Sequence, residues 1–77
     1  MNVIIIRRGG LIDEAPRLVK NDKTAEAVFE SLVRELSGDD EYTFFDDESM
    51  SKANRLLEPM NIYIDWFVDI KVNNYKN

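Results

Sequence analysis

Apolar residues recur along this chain with two different periods, and the places where the period changes mark its elements. Val3, Ile4, Ile5 and Ile6 are contiguous and β-branched, and Arg7-Arg8-Gly9-Gly10 follows at once. Such a run reads as a buried strand over 2–8 entering a tight turn, because branched side chains suit a pleated surface and paired glycines supply the positive φ of a two-residue hairpin loop. Residues 11–20 alternate poorly. Leu18-Val19 looks extended, but Pro16 removes a ladder donor, which leaves an edge strand or a loop containing a short strand.

The period then lengthens. Ala25, Val28, Phe29, Leu32, Val33 and Leu36 fall at i, i+3, i+4, i+7, i+8 and i+11, one face of a helix. Asp22 or Thr24 suits its cap and Gly38 its left-handed stop, while Glu26, Glu30, Arg34 and Glu35 take the other face. Tyr42 to Phe45 reads as a short aromatic strand. A second helix is expected from a cap at Ser49 or Asp47, with Met50, Ala53, Leu56, Leu57 and Met60 roughly on one face and a stop near Glu58 imposed by Pro59. From Asn61 the period drops to two: Ile62, Ile64, Trp66, Val68, Ile70 and Val72 alternate with Tyr63, Asp65, Phe67, Asp69 and Lys71, a long strand with one apolar face. Residues 73–77 are expected to fray.

This order predicts an α+β fold: a three- to four-stranded antiparallel or mixed sheet with two helices packed on one face, forming a single domain over 1–77. At 77 residues the chain buries only about 60 % of the surface it exposes when unfolded, so every core contact carries weight.

Composition narrows the chemistry. With no cysteine and no histidine, disulfides, the usual zinc sites, thiol nucleophiles and histidine bases are all excluded. No cofactor or metal is expected, and the chain reads as a non-enzyme. The opening apolar run of four followed by arginines is too short and in the wrong order for a secretory signal, which predicts a cytoplasmic protein. No stretch is long and apolar enough to span a bilayer, so membranes are not expected partners. A net charge of −5 with no basic stripe argues against direct nucleic-acid binding.

The charge is concentrated. Glu35, Asp39, Asp40, Glu41, Asp46, Asp47 and Glu48 stand in one stretch without a base, whereas the remainder has eight acids against ten bases. The triplet Asp-Asp-Glu occurs at 39–41 and again at 46–48, flanking Tyr42-Thr43-Phe44-Phe45. If that segment is extended, the triplets lie roughly 23 Å apart. Three readings compete. The acids are solvated ends of elements, favoured by a helix dipole; or they form a partner-binding surface with Tyr42 or Phe44 as the aromatic anchor; or they hold a divalent cation, although no EF-hand spacing is present.

Two further features have competing explanations. Tyr63, Asp65, Phe67 and Asp69 share the outward face of the last strand, either as a contact surface for homodimerisation or as a face whose rings are covered by neighbours and whose aspartates are neutralised by Arg7 or Arg8. Arg7-Arg8-Gly9-Gly10 suits an anion but precedes no helix N-terminus, so a hairpin turn is the better reading.

In size, acidity and lack of catalytic residues, with two Asp-Asp-Glu triplets around Tyr-Thr-Phe-Phe, the chain resembles small phage-encoded inhibitors of host proteins, DNA mimics and anti-CRISPR proteins among them. The resemblance covers no alignable motif. It implies an inhibitor that binds the basic surface of another protein, a host DNA-binding protein among the candidates, through carboxylates presented where phosphates are expected. A homodimerising assembly module built on the last strand is the alternative from a different class.

Overall fold

The computed structural model describes residues 1–12 and 15–68. Strand β1, Asn2–Arg8, is the centre of the sheet. Gly9 and Gly10, both at positive φ (63° and 88°), turn the chain into β2, Leu11–Ile12, through the two-residue hairpin loop that the glycine pair predicts. Strand β3, Arg17–Val19, returns to the same edge of β1. Arg7 pairs with Ile12 but Ile4 pairs with Arg17, so two extra residues have entered between the two registers. β2 and β3 are therefore one hairpin arm interrupted in the stretch that contains Pro16, the break expected where a residue cannot donate to the ladder.

Strand β4, Ile62–Phe67, covers the opposite edge of β1, pairing antiparallel from Val3↔Phe67 to Arg8↔Ile62. All strand pairs are antiparallel. The expected continuation of this strand to residue 72, Asp69 included, and the tail 73–77 lie outside the described residues. Among the described residues no helix is long and apolar enough to cross a membrane.

Helix α1, Asp22–Ser37, and helix α2, Asp47–Leu57, pack on the face of the sheet that carries Ile4, Ile6, Ile62 and Ile64. The α1 stripe is the expected one: Ala25, Phe29, Leu32 and Val33 are buried, with Val28 and Leu36 partly so. Its cap, however, is Asn21, whose side chain accepts from the Lys23 and Thr24 amides, rather than Asp22 or Thr24. Gly38, at φ 79°, is the left-handed stop. The cap of α2 is also earlier than expected. Asp46 accepts from the Glu48 amide while Ser49, three residues on, accepts from the Asp46 amide, a reciprocal box in which Ser49 is the distal partner and not the cap. A 3₁₀ turn over Glu58–Met60 follows, leaving Met60 exposed rather than on the helix face.

Residues 42–45 do not form a strand. The segment joins no ladder, and side chains of the two helices satisfy its backbone instead, Ser49 of α2 accepting from the Phe45 amide at 2.9 Å. Arg34 Nε donates to the Tyr42 carbonyl (2.7 Å), Glu30 Oε2 accepts from the Phe44 amide (3.0 Å), and Glu30 and Arg34 face each other at 3.5 Å. Of the aromatic side chains that suggested a strand, Tyr42 is buried in the core, Phe44 packs partly against it and Phe45 stays exposed.

Two buried polar groups tie these layers together. Asn2 is fully buried on β1. Its Nδ2 donates to the Val19 carbonyl (3.0 Å) and Asp22 Oδ1 (2.9 Å), and its Oδ1 accepts from Trp66 Nε1 (2.9 Å). Tyr42 is equally buried and donates its hydroxyl to the Ser49 carbonyl at 2.7 Å. On the outer side of the bundle, Asn54 of α2 accepts from the Ile64 amide of β4 and donates to the Met50 carbonyl, both at 3.2 Å.

Burial, reinforced by the Glu30 carboxylate, pushes the Tyr42 phenol up from 10.0 to about 12. Between those values the unfolded chain has released this proton and the folded one has not, so stability present below pH 10 is lost as pH rises through 12. Urea unfolding at pH 8 and pH 11 should show a loss of about 1 kcal/mol from this group, half of what is lost once pH passes the folded value. Tyr42→Phe should cost about 1 kcal/mol at pH 8 and flatten the alkaline loss. An equally steep loss in that variant would assign it elsewhere.

Candidate interaction surface

The seven acids of 35–48 do not make one continuous patch. Glu35 lies on the β3 side of α1, in a groove with Arg17 and Leu32, away from the others. Asp39 organises the loop after α1: its Oδ1 accepts from the Glu41 amide at 3.0 Å. Asp46 is the α2 cap. Asp40, Glu41, Asp47 and Glu48 are exposed, and among the described residues none of the seven takes part in an ion pair. Residues 42–45 form no strand, so a separation of roughly 23 Å drawn from strand rise does not carry over to the triplets. Glu41, Asp46 and Glu48 border a groove shared with Lys52 and Arg55, so that side of the surface is of mixed charge.

The other side is not mixed. The start of α1, the start of α2, the 44–45 segment and the end of β4 converge on a groove of about 310 Å³. Its floor is apolar: Phe44, Phe45, Met50, Trp66 and Val68. Four carboxylates rim it, Asp22, Glu26, Asp46 and Asp47, and among the described residues no lysine or arginine lines it, Lys23 standing in the adjoining groove with Glu26 and Phe44. Two helix N-termini point here, and their dipoles, roughly half a charge each, leave a net of about three negative charges.

The aromatic floor is braced from below. Phe29 stacks against Trp66 (ring centroids 5.4 Å) and meets Phe44 edge-on (5.7 Å), and Phe44 lies 5.1 Å from Trp66. Tyr42 does not belong to the surface: its ring is in the core and its hydroxyl is spent on Ser49, so it cannot anchor a partner. Phe44 is half-buried and forms part of the floor. Phe45, 81 % exposed, is the free aromatic ring, a role the sequence reading missed. Asp22 and Glu26 were missed as well. Their signal is present in the sequence, since Asp22, Glu26 and Glu30 recur every four residues along one helical flank.

On the far side of the sheet, Tyr63 (37 %) and Phe67 (47 %) are exposed, and Asp65 is held by Arg7 at 2.6 Å. One half of the bland reading of this face, neutralisation by arginine, therefore holds for Asp65, while the rings remain accessible. Arg7-Arg8-Gly9-Gly10 is a strand end and a hairpin turn. Among the described residues no group of three or more carboxylates is arranged to hold a metal ion. Compared with known proteins, the chain matches no family model, no curated protein and no solved structure.

Proposed function

We propose that this domain is a cytoplasmic, non-enzymatic interaction protein that docks on a basic surface of another protein through the groove at the two helix starts. The observation that supports the reading is an apolar floor, including a ring that is mostly in solvent, rimmed by four carboxylates with no lysine or arginine among the described residues that line it. Apolar contact supplies affinity at the centre of an interface, and rim charge supplies steering and selectivity. The complementary partner segment carries a protruding aliphatic or aromatic side chain between lysines or arginines. A surface that is basic because it binds a polyanion, nucleic acid included, would be blocked by such docking, which makes the domain an inhibitor.

Trp66 is the only tryptophan in the chain and lies in the groove, so its fluorescence reports on the site directly. Titration with a synthetic leucine–lysine peptide should shift its emission saturably, with affinity falling as salt is added, and a leucine–serine peptide should bind far more weakly. Reversal of Asp39 and Asp46 would damage a turn and a cap, so the informative variant is Glu26→Lys with Asp47→Lys, neither of which holds another residue in place. It should weaken the leucine–lysine peptide about 30-fold, since each reversal exchanges an attraction for a repulsion on the order of 1 kcal/mol. An unresponsive Trp66, or undiminished binding by the folded variant, would reject the reading.

A further inference from the structure

The sheet has two faces and the helices cover one. The outer face is built in cross-strand rows: Leu18, Val3 and Phe67 in one, Ile5 and Asp65 in the next, and Ile12, Arg7 and Tyr63 in the third. A one-sided sheet ordinarily turns polar side chains to water. Here Leu18 is 64 % exposed and Ile12 59 %, beside the exposed rings of Phe67 and Tyr63, and the Arg7–Asp65 pair is the one polar feature of these rows. Among the described residues nothing covers this face.

We infer that the outer face of the sheet is the contact surface for a second copy of this chain, packed sheet to sheet about a two-fold axis. Three observations favour a copy over another partner. Among the described residues the face is electrically neutral, because its one cation, Arg7, and one anion, Asp65, are paired with each other. An isologous contact needs a surface complementary to itself, and a two-fold axis through the pair sets Arg7 of each copy against Asp65 of the other, closing a four-charge network between apolar rows. Among the described residues every carboxylate except Asp65 lies in a helix or in the loop between the two helices, on the layer that such packing turns outward. The size is adequate: exposed apolar surface on the order of 500 Å² is at the upper end of what a monomer tolerates, and with the ion pair it approaches the roughly 800 Å² per partner of an ordinary interface.

Sedimentation of the full chain from low micromolar to near-millimolar concentration tests this. A monomer–dimer equilibrium is expected, and added salt should tighten it by screening the repulsion between two acidic molecules, the opposite sign from peptide binding in the groove. Leu18→Ser with Phe67→Ser should raise the dimer Kd by about 30-fold or more with an unchanged circular dichroism spectrum, both residues being exposed in the monomer. Arg7→Asp should loosen the dimer in the same way, and adding Asp65→Arg, which restores the pair in reverse, should recover it. Glu26→Lys with Asp47→Lys should leave the dimer intact. A monomer at every concentration overturns the inference, and one whose outer face is protected from solvent would assign that face to another segment of the chain. A dimer indifferent to the face substitutions overturns it too.

Discussion

Phe29→Ala is expected to remove a large share of the stability of this domain. The ring is fully buried at the meeting point of both helices and the sheet, within 6.5 Å of Tyr42, 5.7 Å of Phe44 and 5.4 Å of Trp66. Truncating a phenylalanine in such a position costs about 3–5 kcal/mol, from lost transfer free energy and from the cavity left behind. A chain of this length has about 4–12 kcal/mol in total. The melting temperature should therefore fall by at least about 15 °C, and the cooperative transition disappears if the starting stability is at the low end. Phe44→Ala, at a half-buried site on the groove floor, should cost no more than about 2 kcal/mol. Equal losses for the two rings would mean that the core is not organised around Phe29.

Asn2→Leu is expected to cost about 3 kcal/mol although it places an apolar side chain of similar size in an apolar layer. Tryptophan Nε1–H is only a donor, so Asn2 Oδ1 must face Trp66 and Nδ2 must face Val19 and Asp22, which fixes the amide orientation by chemistry. Leucine leaves the indole N–H without its acceptor and removes the side-chain donor to the Val19 carbonyl and Asp22, at about 1–3 kcal/mol for a part-buried group left unsatisfied. Asn2→Asp separates this account from simple packing. It keeps the acceptor for Trp66 but loses the donors and sets a carboxylate against Asp22, so it should be at least as damaging at neutral pH and recover in part on acidification. Chemical denaturation of the three proteins at pH 7 and pH 4.5 measures this, and a neutral Asn2→Leu would show that the network contributes nothing to stability.

Periodicity carried the elements that bury a stripe and failed where side chains replace a ladder. β1 and α1 were legible because Val3 to Ile6 and Ala25 to Leu36 each match one template. Tyr42 to Phe45 has strand composition but no strand, because β preference expresses packing on a pleated surface, and here Tyr42 packs into the core beneath the helices while helix side chains take the backbone bonds. Nothing local to those four residues shows that Glu30 and Arg34, a helix away in sequence, hold their backbone. The caps moved by one or more residues for a similar reason. Several polar residues near each helix start can cap, and which one does is set by where the chain enters from β3 or from the 44–45 segment.

The candidate site was half legible. Asp46 and Asp47 were singled out as part of an acidic run along the chain, yet the groove joins them to Asp22 and Glu26, about twenty residues earlier, and detaches Glu35. A count of charge along the sequence finds density but not neighbours. The exposed Phe45 was hidden behind its buried companion Tyr42, since two aromatics three positions apart give no sign of which one the core takes.

The bond from the Ile64 amide to Asn54 has one more consequence. Ile62–Phe67 is a short segment of isoleucine and aromatic residues, the composition that stacks into cross-β fibrils when such a strand is left as an open template. Growth along it would require that amide to bond an incoming chain, and a neighbouring helix already occupies it. In the folded monomer Asn54 thus holds an amide that polymerisation would need, at a position whose helical context reveals nothing of that contact.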